Sequence, residues 1–172
     1  MHVSTICDDI VQTLYPRKPL AFADETRLAF QELGSAVEDV ISDAIKARYA
    51  SWEKPSPRQD RRGVWGSPDG WHQKSRTIHE IKATWASERN FVEIVDGRIV
   101  SESPKFYRYR IQSLKYGSMW RAARTCIHVV FVVGTERPPF PFPRSYTLVP
   151  TAEEYSTNDN LLWQHSEDRG WL

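Results

Sequence analysis

The segment "HEIKA", residues 79–83, sets Glu80 and Lys82 two positions apart. In an extended strand that spacing puts a carboxylate and an ammonium on one face. Upstream, "GSPDG" supplies Asp69 in a Pro-Asp-Gly turn at the end of a short strand. Two carboxylates on neighbouring strands suit a hard divalent cation such as Mg²⁺ or Mn²⁺, which takes few protein carboxylates and keeps several waters. The backbone carbonyl of Ile81, between Glu80 and Lys82, offers a third oxygen. Lys82 then lies beside the water that such an ion acidifies, placed to orient it toward a phosphorus atom. Glu38, in "LGSAVEDVISDAI", can reach the same ion directly or through water. Gln112 and Tyr116, in "RIQSLKYG", stand one helical turn apart and share a face. They add an amide donor, a hydroxyl and a ring face for a base or sugar.

Each residue also has a plainer reading. Pro-Asp-Gly is a favoured turn in any protein, and an exposed Glu–Lys pair contributes less than about 1 kcal/mol. Gln112, Tyr116 and Glu38 can be ordinary helix surface. The apolar flanks Ile78, Ile81 and Trp85 decide for Glu80 and Lys82, because they mark a partly buried strand. Burying two charges without a metal or a tight partner costs several kcal/mol. His79 is out of phase with Glu80 and faces the other side of the strand. With His72 and His128 it reads as structural. Trp65, Trp71, Trp85 and Trp120 suit base stacking or core filling equally.

The elements that must hold these groups follow from local signals. Apolar residues recur at helical spacing from Leu28 through Leu33, Val37, Ile41 and Ile45, with Asp24 as N-cap. Gly34 is a point where this helix can break. "EKPSPRQDRR", residues 53–62, reads as a loop. "GVWGSPDGW" and "TIHEIKATW" read as strands joined by "HQKS", and "FVEIVDGRIV" as a hairpin turning at Asp96-Gly97. The helix "SPKFYRYRIQSLKYGSMWRAA" has Ser103 as N-cap and Pro104 at its first position. "CIHVVFVVG" is a buried strand, "TERPPFPFPRS" an extended linker, and "YTLVP" a last strand. A final helix is capped by Thr151 with Glu154 three residues on. The expected fold class is α/β: a central mixed β-sheet flanked by α-helices in a single domain, residues 1–172, with a core about 28–150 and a helical tail from 151.

Taken together, "LGSAVED" with Glu38, "GSPDG" with Asp69, "HEIKA" with Glu80 and Lys82, and "QSLKY" with Gln112 and Tyr116 resemble the PD-(D/E)xK nuclease superfamily. The likeness is greatest to its lambda-exonuclease and RecB-like branch, and it spans roughly residues 33–134. The resemblance implies a restriction-endonuclease-like fold and Mg²⁺- or Mn²⁺-dependent hydrolysis of DNA phosphodiesters. It casts Asp69 and Glu80 as metal ligands, Lys82 as the water-positioning group, and Glu38 as an accessory ligand. Gln112 and Tyr116 would orient the catalytic groups and the strand. An exonuclease of phage recombination or repair is the implied activity. A catalytically silent relative that binds nucleic acid or a protein partner, and an RNA endonuclease, stay open beside it. Two departures stand out. Val37 occupies the place where relatives often carry histidine, and two cysteines are too few for the four-cysteine iron–sulfur cluster of some relatives.

Composition sets the limits. A net charge of +1 argues against a uniformly basic nucleic-acid binder. The charge is unevenly spread, however: residues 1–45 carry three Lys/Arg against eight Asp/Glu, and residues 46–89 carry ten against five. Residues 105–124 hold six basic side chains and no acid. Such segregation can line a groove for a polyanion, with Arg61, Arg62, Arg108 and Lys115 as expected phosphate contacts to DNA, a duplex end or a single strand. The residues neither require nor forbid an oligomer. No apolar run reaches the roughly 18–20 residues of a membrane span, and acids interrupt the N-terminal segment, so a cytoplasmic protein is expected. Cys126 opens an apolar strand and reads, like Cys7, as a thiol without redox or metal duty.

Overall fold

The computed structural model describes residues 1–16, 24–48, 51–85, 88, 91–96, 98–132 and 142–172. Its centre is a five-stranded mixed sheet in the order β1 (Trp52–Glu53), β4 (Gly70–His72), β5 (Thr77–Thr84), β8 (Arg124–Phe131), β9 (Phe142–Leu148). β5 and β8 run parallel over their full lengths, Thr77 opposite Arg124 and Thr84 opposite Phe131, while the flanking pairs are antiparallel. The connection from β5 to β8 carries the hairpin β6 (Val92–Val95) and β7 (Arg98–Glu102), then helix α3 (Pro104–Trp120). A small ribbon of β2 (Arg58–Gln59) and β3 (Trp65–Gly66) lies outside the sheet. Helices α1 (Val3–Leu14), α2 (Asp24–Arg48) and α4 (Ala152–Asp168) complete the fold. This is the α/β arrangement expected, a mixed sheet flanked by helices.

Alternation along β8 sorts the core. Ile127, Val129 and Phe131 pack with Phe91, Phe106 and Tyr109 on the α3 side, whereas Cys126 and His128 point to the opposite face. Farther along the same α3 side, Ile78, Ile111, Tyr116 and Trp120 meet Val3, Ile6, Cys7 and Ile10 of α1 and Leu162 and Trp163 of α4. α4 therefore inserts into the main apolar cluster.

Local chemistry explains the helix ends. Ser103 accepts from the Phe106 N–H and Pro104 fills the first turn, where its missing N–H costs nothing. α3 stops at Arg121, whose backbone turns left-handed (φ 53°) so that its N–H and that of Ala122 reach the last carbonyls. Thr151 and Glu154 form a complete capping box on α4. Thr151→Ala is expected to cost about 1 kcal/mol, readable as a lower denaturant midpoint with an unchanged slope.

Several elements differ from expectation. α1 is a helix that no start signal announces: its cap is the His2 ring, which accepts from the Ser4 N–H. α2 runs unbroken through Gly34, where nothing among the described residues lies within 4 Å of a would-be Cβ. The segment read as loop 53–62 contributes β2 and the end of β1. The linker "TERPPFPFPRS" lies outside the described residues up to 141, and its end is the start of β9. Gly97 and the side chain of Asp24 also lie outside the described residues, while Asp96 adopts φ 50°, as its hairpin turn requires. Among the described residues no helix is long and apolar enough to cross a membrane.

Candidate active site

β4 pairs with β5 only as far as Gly70 opposite His79. Gly70 is required there because a Cβ would lie 2.0 Å from the Trp52 ring. Beyond that pair the chain before β4 peels away and the β5 edge is open. Asp69 fills the opening: its Oδ2 accepts the Ile81 N–H at 2.7 Å. In an extended strand the N–H and C=O of one residue leave on the same side, so the Ile81 carbonyl is directed to the edge that Asp69 occupies.

On the α3 face of β5, Glu80 is 1% exposed. Its Oε1 accepts from Lys82 Nζ at 2.7 Å and from Gln112 Nε2 at 2.8 Å. Lys82 Nζ lies 3.8 Å from Asp69 Oδ2, so one ammonium ties both carboxylates together. Gln112 Nε2 also donates to the Tyr116 hydroxyl at 3.2 Å. Tyr116 is buried at 1% and packed so closely on Gly66 that a Cβ there would meet its ring at 2.7 Å. Its ring face is therefore closed to a base; its place in the site is to fix Gln112. Glu38, half-buried on α2, acts electrostatically on Lys82 and Asp69.

Charge is the notable property of this cluster. Burial, reinforced by the Asp69 charge, pushes the Glu80 carboxyl up to about 8, and burial also raises Glu38. Burial works against the Lys82 charge, but Glu80, Asp69 and Glu38 outweigh it and hold the ammonium well above its ordinary range. Three acidic side chains thus face one ammonium, with the Arg108 guanidinium acting on Glu38 from beside them. The second oxygen of Glu80, Oε2, is buried and has no hydrogen-bond partner among the described residues. A buried carboxylate oxygen without a donor is costly, and a hard cation is the species that satisfies it best. Asp69, Glu80 and the Ile81 carbonyl, all oxygens around one strand edge, fit Mg²⁺ or Mn²⁺.

The expected phosphate contacts divide. Lys115 is not a surface cation: it is 1% exposed, bonded to Asp60 at 2.6 Å and Asp159 at 2.9 Å, with its ammonium 4.6 Å from the Trp163 ring centre. The helix spacing that places it one residue before Tyr116 turns it into the α4 interface. Arg108 pairs with Asp8 of α1 and acts on Glu38, so it stands beside the acid cluster. Arg61 and Arg62 stack on Trp163, and Arg62 pairs with Glu167. They lie on the α4 side, bound up with the Asp60 turn, where Asp60 accepts from the Arg62 and Val64 N–H groups. Sequence reasoning missed Asp60 and Asp159, whose roles depend on a helix 44 residues beyond Lys115.

The fold, a mixed sheet flanked by helices, is shared with two solved structures. It is similar to a phage-related exonuclease from Haemophilus somnus 129PT, at 11% identity with a TM-score of 0.56, over 95% of this chain and 79% of that one. It is similar also to the protein SSO0001, at 11% identity with a TM-score of 0.59, over 98% of this chain and 76% of that one. No family model and no curated protein matches the sequence.

Proposed function

We propose that the chain is a nuclease that hydrolyses DNA phosphodiester bonds with Mg²⁺ or Mn²⁺, acting from strand ends. Asp69, Glu80 and the Ile81 carbonyl would hold the ion, with Glu38 joining directly or through water. The observation that carries this reading is the buried Glu80 Oε2, without a hydrogen-bond partner among the described residues, in a cluster with more acidic side chains than ammonium groups. When bound, the cation supplies Lewis acidity and stabilises charge on the phosphate. The chain's own groups do the rest. Gln112 and Lys82 pin Glu80 Oε1, which leaves Oε2 the free ligand atom. Lys82 Nζ, 14% exposed at the mouth of the cluster, donates to and orients the attacking water. Tyr116 keeps Gln112 in place, and Arg108 meets a backbone phosphate next to Glu38. The likeness in fold to a phage-related exonuclease supports strand-end cutting; a place in phage recombination or repair is part of the proposal.

The test uses end-labelled linear DNA, duplex and single-stranded, and single-stranded RNA, each with Mg²⁺, Mn²⁺ or EDTA. Metal-dependent shortening of DNA that disappears in EDTA and in Glu80→Ala and Lys82→Ala variants is the expected result. Binding without cleavage under every metal would overturn it in favour of a silent nuclease-fold protein, and cutting of RNA alone would move the substrate.

A further inference from the structure

The sheet face turned away from α3 carries a second cluster of ligating side chains. His79 of β5 stands directly opposite Cys126 of β8 in the parallel register, and His128 follows two residues later on the same face. His79 Nδ1 lies 2.9 Å from His128 Nε2, and Cys126 Sγ lies 4.0 Å from the His128 ring nitrogen Nδ1. One ligand atom from each of the three falls within 4.8 Å of the others. The two imidazole planes are parallel to within 2°.

We infer that His79, Cys126 and His128 form a site for a borderline-soft divalent cation, Zn²⁺ in the first instance. Two imidazoles and a thiol are the ligand types that Zn²⁺ prefers and that Mg²⁺ and Mn²⁺ do not, so this site and the acidic one differ in kind. With Zn–N near 2.0–2.1 Å and Zn–S near 2.3 Å, tetrahedral ligands stand about 3.3–3.6 Å apart. The 2.9 Å nitrogen pair therefore needs to open by a few tenths of an ångström, with the two imidazoles turning from each other toward a shared ion. All three ligands stand on two hydrogen-bonded strands, which fixes their spacing before any ion arrives.

Neighbours on β9 support the ligands. Ser145 lies opposite His128, with its hydroxyl 2.8 Å from Nδ1. A proton on Nδ1, donated to Ser145, leaves the Nε2 lone pair aimed at His79, the orientation a metal-binding imidazole requires. Thr147, opposite Cys126, donates its hydroxyl to Sγ at 3.6 Å, a contact that stabilises a thiolate. Binding releases the Cys126 thiol proton to solvent and moves the proton that His79 Nδ1 donates to His128 over to His79 Nε2, which leaves Nδ1 free to ligate. A cavity of 250 Å³ lined by Trp52, His72, Ser75, Thr77 and His79 lies beside the His79 ligand. His72 is engaged by Ser51 and Ser75 and stays outside the ligand set. The inference does not rest on the nuclease reading.

The test is metal content and Co²⁺ spectroscopy on the full chain. Protein stripped of metal and titrated with Zn²⁺ should take up one equivalent with a raised melting temperature. Co²⁺ should give a thiolate charge-transfer band in the near ultraviolet together with tetrahedral d–d bands. Cys126→Ser should remove the charge-transfer band, and His128→Ala should weaken Zn²⁺ binding at least about tenfold. Thr147→Val, a milder change that leaves the ligands in place, should weaken it by about 10–100-fold. Cys7→Ser and Glu80→Gln should leave both signals intact. The site is refuted if wild-type protein takes up no Zn²⁺, if Co²⁺ gives no thiolate band, or if the band survives Cys126→Ser and vanishes in Cys7→Ser.

Discussion

Glu80→Gln is expected to leave a folded protein whose melting temperature in EDTA is no lower than wild type, while DNA cutting falls at least about a thousandfold. The two halves of this result come from the same burial. Without a cation, the Glu80 carboxylate is 1% exposed beside Asp69, with one oxygen unserved. Glutamine keeps the shape, can still accept from Gln112, and is neutral, as the carboxyl raised to about 8 mostly is near pH 7 without a cation. In the proposed site the cation would favour the ionised carboxylate over the neutral acid and take it as a ligand. Losing it forfeits several kcal/mol of charge stabilisation in the transition state, and about 4 kcal/mol is a factor of a thousand. Circular dichroism melts and initial cutting rates in Mn²⁺ measure the two sides. A variant that cuts at more than a tenth of the wild-type rate would remove Glu80 from the chemistry.

Lys115→Met should have the largest effect on stability, a loss of about 3–5 kcal/mol. Lys115 is 1% exposed between Asp60 and Asp159, which are 9% and 13% exposed. Methionine fills similar space but leaves two carboxylates facing each other with no cation between them. Asp60 also holds the Trp163 indole N–H at 2.8 Å, and Asp159 holds the Ser118 hydroxyl at 2.6 Å, so the strain spreads to α3, α4 and the β2–β3 turn. Adding Asp159→Leu to Lys115→Met should recover part of the loss, because an apolar pair replaces an unpaired charge. The pH dependence follows from Asp60. Burial raises its carboxyl, but the bonds from Lys115 and Trp163 outweigh burial and hold it below the ordinary value. Its contribution is therefore fully present above the usual carboxylate range near pH 4 and is lost as pH falls through the depressed folded value. Acid unfolding of Lys115→Met should lack that component. Urea midpoints at pH 3 and pH 7 for both proteins decide it.

What could be read from the chain, and what could not, divides by range of interaction. Ser103-Pro104 and Thr151 with Glu154 are signals contained within one helical turn, and the structure repeats them unchanged. Glu80, Lys82, Gln112 and Tyr116 were legible as a pair on a strand and a pair on a helix. The structure brings the four together with Asp69, although Tyr116 turns inward. α1 was hidden because its stripe of Val3, Ile6, Cys7 and Ile10 is short, begins without a conventional cap, and gains its burial only from α3 and α4. Lys115 was misread for the same kind of reason. A lysine in a basic run looks solvated until Asp60 and Asp159, one far upstream and one far downstream, close around it.

The parallel pairing of β5 with β8 has a consequence for how the molecule matures. Glu80 and Lys82 precede the crossover, Gln112 lies within it, and the strand that seals the arrangement comes last of these. A nascent or half-collapsed chain can own the "HEIKA" strand and still lack the clamp on Glu80 Oε1. On the proposed function, hydrolysis would wait on completion of the long-range topology, because the clamp on Glu80 forms only once α3 is in place.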